Sequence, residues 1–538
     1  MELRGARRLS SQTSEIDLGE ARRYEDLPPA QSVVLLFAIA VVALCGIVYE
    51  LIIGTISSYL LGNSVYQFSL TIGFFMFAMG IGSYLSKFIY GNLIRNFIYV
   101  EIALSVVGGI CSLALFFAFP FSPGLYQAVM FGFILAIGTL VGLEIPLLTR
   151  ILTQVSGTRR SIANVMSLDY IGALIGSVAF PLMLLPGLGL MRASFAIGLI
   201  NICVAFFSVL FLRHFIPGSQ RVLAVVLGAF VLLVGLTLAS DRLTSMARDH
   251  LYFDKVIWEK QTPYQNLVMT RDWKRTDLRL FIDGHIQFSQ TDEYRYHEAL
   301  VHPVMSLPGA AQTILVMGGG DGLALREILK YPAVKRIDLV DLDPDMTRLG
   351  KEFAPLVRLN RASLSDPRVH IHNEDAFVFI RREGAAYDRV ILDFPDPHNE
   401  AISKLYSLEF YKMVLQRLAA DGAIVTQSSS PFFARRTFWT IEKTLGEIFA
   451  STTSYQIAVP AFGLWGFNIA RQTPAGGAGG FAVATRFLDD ETFKAAKIFS
   501  KDIARPEDLT ANSIFEPNLY QIYIQDLQGQ APALDELL

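Results

Sequence analysis

At 538 residues the chain is too long for one ordinary domain. Hydrophobic residues make up 52% and charged residues 18%, against about 25% charged in soluble domains, and the net charge of -3 excludes a basic nucleic-acid binder. Between Gln31 and Ser240 there are 8 Lys/Arg and 4 Asp/Glu, whereas Asp241–Leu538 holds 33 and 39. That asymmetry excludes a wholly soluble or a disordered protein and reads as a membrane module joined to a soluble one.

Residues 1–30 form a polar tail with Arg4, Arg7, Arg8, Arg22 and Arg23, the opposite of a cleavable signal. It reads as cytoplasmic. The membrane domain, 31–240, contains apolar runs near 32–55, 68–90, 97–119, 125–149, 162–186, 190–212 and 222–240. Each is long enough to cross about 30 Å of hydrocarbon, so about seven transmembrane helices are expected. Basic residues concentrate in the tail and in alternate loops: Lys87 with Arg95, Arg150 with Arg159 and Arg160, and Arg213 with Arg221. Positive loops face the cytoplasm, which with seven spans sends the soluble half outward.

The four acidic residues of this half, Glu50, Glu101, Glu144 and Asp169, are costly in lipid and so are functional candidates. Glu101 reads as a span-end or paired residue. Glycines from Gly73 to Gly82 and from Gly172 to Gly176 predict close helix contacts. Cys45, Cys111 and Cys203 lie inside apolar runs without metal-ligand spacing. They read as buried small side chains, and no metal is expected.

The soluble half opens with a β-strand part, 241–311, in which Gln265–Asp272, Asp277–Asp283 and His285–Gln290 read as strands around the hairpin dipeptide Asp283-Gly284. From 312 to 538 strands alternate with helices. Thr313–Met317, Arg336–Asp341, Val369–Asn373, Asp388–Asp393 and Ala423–Gln427 are the strands. The fold class is therefore an α-helical multi-span membrane domain fused to an α/β domain. That domain is a doubly wound parallel sheet, class I methyltransferase-like, preceded by a small antiparallel β-hairpin domain.

Ligands of such sheets bind at the strand carboxyl ends, and four acidic motifs fall there. Gly318-Gly319-Gly320-Asp321-Gly322 follows the first strand. Gly318 and Gly320 let the backbone turn tightly beside a nucleoside, while Asp321 would repel a pyrophosphate and suits a cationic ligand. Asp341 ends the second strand, where a carboxylate accepts from ribose hydroxyls; Asp343, before Pro344, reads as a helix N-cap. Asp375-Ala376 follows the third strand, in reach of an adenine amino group. Asp393-Phe394-Pro395-Asp396 follows the fourth.

Over roughly 255–470 the chain resembles the spermidine synthases, the polyamine aminopropyltransferases, and in particular their membrane-attached bacterial branch. The likeness rests on Pro263-Tyr264-Gln265-Asn266, Phe281-Ile282-Asp283-Gly284, Gln287-Phe288-Ser289, and Asp292-Glu293-Tyr294-Arg295-Tyr296-His297-Glu298. It continues through Leu300-Val301-His302-Pro303, the glycine turn, the Asp-x-x-Asp-Pro turn and Leu405-Tyr406-Ser407-Leu408-Glu409-Phe410-Tyr411. Asp341 departs from the pattern, standing where glutamate is usual.

The resemblance implies an enzyme that transfers an aminopropyl group from decarboxylated S-adenosylmethionine to an amine, with putrescine giving spermidine and 5'-methylthioadenosine. No cofactor is implied beyond that co-substrate. Gln265, Asp341, Asp375 and Ala376 would hold the thioadenosine. His297 and Asp321 would hold amine groups, Tyr296 and Asp396 would line the acceptor channel, and Asp393 would accept the proton. Partners implied are the adenosyl-sulfonium and polyamine substrates, the lipid bilayer and a second copy in a homodimer or larger assembly, with no nucleic acid. The expected place is the cell (inner) membrane, with catalysis favoured in the cytosol because the donor is made there.

Other readings use the same residues. A class I methyltransferase shares the sheet and glycine turn without needing Asp321, Asp393 and Asp396 together, and a dehydrogenase is disfavoured by Asp321. A membrane polyamine transporter or sensor would use the synthase-like domain for ligand binding. Gln427 reads as structural, and Pro460–Phe467 as either a lid or core packing.

Overall fold

The computed structural model describes residues 29–61, 64–156, 158–252, 254–473 and 480–529. Most of the polar tail, 1–28, lies outside them. The chain divides into two compact units, Met1–Phe253 and Asp254–Leu538.

Six helices of the first unit are long and apolar enough to cross a membrane: Val33–Leu61, Val65–Phe88, Leu93–Ala118, Gly124–Thr153, Arg159–Phe215 and Ser219–Met246. The fifth joins two of the seven expected runs. Its 57 residues would measure about 85 Å as a straight helix, nearly three hydrocarbon thicknesses. It bends instead, through a π-helical turn at Phe180–Leu184 and a left-handed break at Gly189 (φ 70, ψ 173). The result is seven helical arms.

Side-chain contacts fix the direction of each arm. Gly172 and Gly176 press on Ala40 and Leu44, so the fifth arm runs parallel to the first. Ser57 meets Tyr126 and Gly46 meets Val141, which makes the fourth antiparallel to the first. Gly138 against Phe75 and Ala78, and Gly142 against Met79 and Gly82, follow the same order along both helices and align the second with the fourth. Asn201 bonds the Glu101 carbonyl while Ser194 bonds those of Gly108 and Gly109, so the sixth opposes the third. Arg192 pairs with Asp241, and Tyr252 Oη meets Tyr59 Oη at 2.8 Å. Directions therefore alternate. Pro29 and Tyr252 lie at opposite ends of the bundle, and Lys87, Arg95, Arg150, Arg159, Arg160, Arg213 and Arg221 all fall toward the Pro29 end. Of the two glycine stretches, Gly82, Gly172 and Gly176 make the close contacts expected, while Gly73 and Gly80 face open space.

The last helix runs on to Tyr252, so position 240, where composition placed the end of the membrane domain, falls inside it. The polar residues beyond 240 continue its backbone hydrogen bonding while no longer being apolar.

The second unit begins with a four-stranded antiparallel sheet in the order β1-β2-β3-β4: Lys255–Gln261, Asn266–Arg271, Leu278–Ile282 and His285–Ser289. Asp283 and Gly284, both at positive φ (48 and 82), make the expected hairpin turn. Helix Glu293–Met305 leads to a seven-stranded sheet in the order β10-β11-β9-β8-β5-β6-β7. Its strands are β5 Thr313–Gly318, β6 Arg336–Asp341, β7 Val369–Asn373, β8 Tyr387–Asp393, β9 Leu418–Gln427, β10 Ser451–Val459 and β11 Gly463–Arg471. Five are parallel, as the α/β pattern predicts. The sheet is nevertheless mixed, because β10 and β11 add antiparallel beyond β9.

Alternation along each strand builds two cores. Ile314 and Val316 of β5 join Leu300, Leu325 and Ile337 on one face, while Leu315 and Met317 join Phe379, Val390 and Phe410 on the other. A sheet covered on both faces leaves its strand ends as the place for chemistry.

Candidate active site

Strand β5 sits between β6 and β8, with Gly318 registered against Asp393 and Met317 against Val340. The carboxyl ends of three neighbouring strands thus deliver Asp341, the glycine turn and Asp393 side by side. Gly318 has φ 82, and a Cβ there would strike the Asp393 carbonyl at 2.1 Å. A Cβ on Gly320 would meet Asp341 Oδ2 at 2.5 Å. Only glycine permits this packing.

Around this turn opens a cavity of about 580 Å³, the size of a small-molecule site. Every residue singled out from the sequence lines it: Gln265, Tyr296, His297, Gly318, Gly320, Asp321, Asp341, Asp375, Ala376, Asp393 and Asp396. At one end Asp341 accepts from Gly320 N through Oδ2 (2.9 Å) and from Asp343 N through Oδ1 (3.0 Å). Burial pushes its pKa up to about 6. Asp343 is the N-cap of helix Pro344–Glu352, as its place before proline suggested. It also receives Gln265 Nε2 at 3.1 Å. Asp375 caps helix Ala376–Arg381 through Phe377 N (2.7 Å), and its other oxygen takes Lys404 Nζ at 2.9 Å.

In the middle, Tyr296 Oη donates to Asp393 Oδ1 at 2.6 Å. Burial and the Asp393 charge hold the phenol far above its ordinary pKa, so it stays a donor. Burial raises Asp393 too, against the opposing effects of His297 and the Tyr296 hydrogen bond. Asp321 accepts from Leu323 N at 2.9 Å and is pushed by burial to about 6.

His297 lines the cavity with one ring nitrogen already engaged. Its Nδ1 lies 2.8 Å from both the carbonyl and Oε2 of Glu293, and Arg326 grips the same carboxylate through both Nη atoms (2.8 and 2.9 Å). Burial alone would lower its pKa; Glu293, Asp321 and Asp393 together raise it.

At the far end Asp396 accepts from Tyr523 Oη (3.1 Å), Ser429 Oγ (3.2 Å) and Gln427 Nε2 (3.5 Å), and burial lifts it to about 6. Gln427 also donates to the Phe394 carbonyl at 2.7 Å, so it supports the turn and lines the cavity at once. Phe462 and Trp465 from the aromatic segment line it as well. Tyr523, Ser429 and Lys404 were not legible beforehand. Tyr523 lies 127 residues beyond Asp396, on helix Leu519–Gln528, without a motif around it.

Glu298, His302 and Glu327 are close enough to share a metal, but their capacity is already used. Glu298 accepts from the backbone of Arg486, Phe487 and Leu488, and Glu327 pairs with His302, Arg326 and Lys330. This donor set clamps helix Glu293–Met305 instead of waiting for a cation.

Residues 293–476 match the family described as Spermine/spermidine synthase domain. The polyamine aminopropyltransferase 1 of Streptomyces coelicolor is 42% identical over 503 residues, 91% of this chain and 94% of that one. Polyamine aminopropyltransferase 2 of Ralstonia nicotianae is 42% identical over 512 residues (92% and 98%), and the Leptospira interrogans polyamine aminopropyltransferase 41% over 476 (88% and 94%). A solved spermidine synthase in complex with the transition-state analogue AdoDATO shares 23% identity at a TM-score of 0.42, covering 46% of this chain and 85% of its own. Because the curated likenesses run through both units, the chain belongs to the polyamine aminopropyltransferase family.

Proposed function

We propose that the cavity aligns decarboxylated S-adenosylmethionine with putrescine and yields spermidine and 5'-methylthioadenosine. One observation carries the reading: Asp341, Asp321, Asp393 and Asp396 line a single cavity in which arginine and lysine are represented by Lys404 alone among the described residues. Such a pocket favours cationic guests.

In this reading Gln265, Asp341, Asp375 and Ala376 hold the thioadenosine, with Gly318 and Gly320 giving backbone access. Asp321 takes the ammonium of the aminopropyl arm, and Asp396 takes the distal ammonium of the acceptor. His297, bound to Glu293, tempers the charge of Asp321 and Asp393. The donor sulfur is a sulfonium and leaves as a neutral thioether without an acid. The acceptor nitrogen forms a bond to the methylene as the carbon–sulfur bond breaks, and it must lose a proton. An alkyl ammonium of pKa near 10.4 is only about 0.04% neutral at pH 7, so a base beside it matters. Asp393, raised by burial and held by Tyr296, takes that proton. Alignment of the two substrates supplies the largest share of the rate.

Product analysis with purified protein, the decarboxylated donor and a panel of diamines tests this. Spermidine from putrescine is expected; transfer from intact S-adenosylmethionine as a methyl group would overturn it. A second reading, that the bundle handles a cation, is favoured by Glu101 and Glu144. Both are buried in the bundle, with three carboxyl oxygens lacking a hydrogen-bond donor among the described residues. Polyamine uptake into vesicles that persists in Asp393→Asn separates transport from synthesis.

The seven basic residues toward the Pro29 end support a cytoplasmic location for that end, and in that reading the chain enters the second unit from the outer face. This stands against cytosolic catalysis, favoured on substrate grounds. Side-selective labelling of a cysteine introduced at Gly218 should find it inside, and one at Arg275 outside. The reverse pattern restores the cytosolic placement.

A further inference from the structure

Among the described residues of the second unit, Trp273 is the large apolar side chain that the fold leaves most exposed, just ahead of Phe515. Trp273 is 85% exposed, the most exposed large hydrophobic residue among those described. It sits at the tip between β2 and β3, followed by Lys274 and Arg275, both exposed. The tip is not loose. Asp272 accepts from Thr276 N (2.6 Å), Asp277 N (2.8 Å) and Thr276 Oγ1 (2.9 Å), and Arg275 N returns to the Asp272 carbonyl at 2.9 Å. The acidic residue at the tip is thus spent on holding the turn, while Asp277 is buried against Arg279 and Ser289. An indole flanked by cations is what this rigid turn presents to its surroundings.

The register shows what lies beside it. The chain enters the second unit at Asp254, two residues after Tyr252 ends the last apolar helix. Tyr252 bonds Tyr59, near the end of the first apolar helix. Aromatic residues at such helix ends mark the membrane–water boundary. Asp254 Oδ2 accepts from Arg279 Nη1 at 2.8 Å, and Lys255 is registered against Arg271. The hairpin tip therefore occupies the end of the sheet at which the chain arrives from the bilayer.

We propose that the 272–277 tip is a lipid-headgroup anchor. Trp273 enters the interfacial layer, and Lys274 and Arg275 engage anionic phospholipid phosphates, fixing this edge of the catalytic unit to the membrane surface. Tryptophan prefers that layer because its ring is apolar and its N–H is not. Each basic residue near an anionic leaflet strengthens adsorption about fivefold.

All four tryptophans, Trp258, Trp273, Trp439 and Trp465, lie outside the apolar helices. Trp439 is buried, Trp465 lines the cavity and Trp258 is half-buried against Phe353, so the quenching that Trp273→Phe removes reports on the tip. The full chain is placed in nanodiscs of phosphatidylcholine and phosphatidylglycerol whose chains are brominated near the headgroup. Emission should be quenched relative to unbrominated nanodiscs, and the quenching should vanish in Trp273→Phe. It should weaken in Lys274→Glu/Arg275→Glu and in phosphatidylcholine alone. Equal emission with and without bromine overturns the anchor. So does an absence of quenching together with a smaller oligomer in Trp273→Phe, which makes the tip a contact between copies of the chain.

Discussion

The two units bury carboxylates in contrasting ways. In the apolar bundle Glu101 and Glu144 face each other, and both carboxyl oxygens of Glu101 and one of Glu144 find no hydrogen-bond donor among the described residues. In the second unit Glu298 takes three backbone N–H groups, and Glu327 takes Arg326, Lys330 and the His302 ring. The cavity carboxylates lie between these extremes, each holding one to three donors while facing open space. A buried charge that is fully paired is structural, because nothing further can bind to it; one left partly unpaired is poised for a guest.

The sharpest test of that ordering is Asp393→Asn. It keeps the size and the Tyr296 hydrogen bond but removes the base, so turnover should fall about 10²- to 10⁴-fold with donor binding retained. Single-turnover kinetics alongside donor titration would show it, and near-normal turnover would remove Asp393 from the role. Glu298→Ala should do the converse. Leaving these N–H groups, of which only that of Leu488 belongs to a buried residue, without an acceptor costs about 1–3 kcal/mol, so the melting temperature drops by a few degrees. The fraction still folded should turn over normally.

The pH dependence separates the classes next. Asp321, Asp341 and Asp396 are each raised to about 6 by burial. A carboxylate raised in the folded state favours folding in its protonated form, and that contribution is lost as pH rises through about 6. The empty protein is thus penalised at neutral pH by the charges a dication would relieve. Putrescine should give a larger thermal shift at about pH 7 than at about pH 5, and its KM should climb as pH falls below about 6. A flat KM across that window would place the guest elsewhere.

Much of this was legible in advance. Motifs at strand ends located Gly318, Gly320, Asp321, Asp341, Asp375, Ala376, Asp393 and Asp396, because strand periodicity and Asp-rich turns are local signals, while Gln265, Tyr296 and His297 were named from the family resemblance. What was hidden depended on distance in sequence. The bond of His297 to Glu293, four residues earlier, and the grip of Arg326 on that same carboxylate were not named from the sequence. The antiparallel pair β10 and β11 carries no helix between its strands and broke the alternating pattern. The bend at Gly189 is one glycine among many in an apolar half, and only its φ identifies it. No local signal connects Tyr523 to Asp396.

That last contact yields the smallest effect and the finest discrimination. Tyr523 Oη and Ser429 Oγ share Asp396 Oδ2, while the helix bearing Tyr523 is pinned by Asp526, which accepts from Thr437 N and Oγ1 at 2.9 Å each. The position of the distal carboxylate, and so the acceptor length the channel fits, depends in part on this terminal helix. Tyr523→Phe removes one hydrogen bond to a charged group, worth about 1.5–3 kcal/mol when buried. Part of that loss returns when the freed oxygen binds ammonium more strongly. The expected outcome is a KM for putrescine changed about fivefold or less with kcat nearly intact, and a flatter preference between three-, four- and five-carbon diamines. A uniform fall in kcat for all of them would instead make Tyr523 part of the reaction centre.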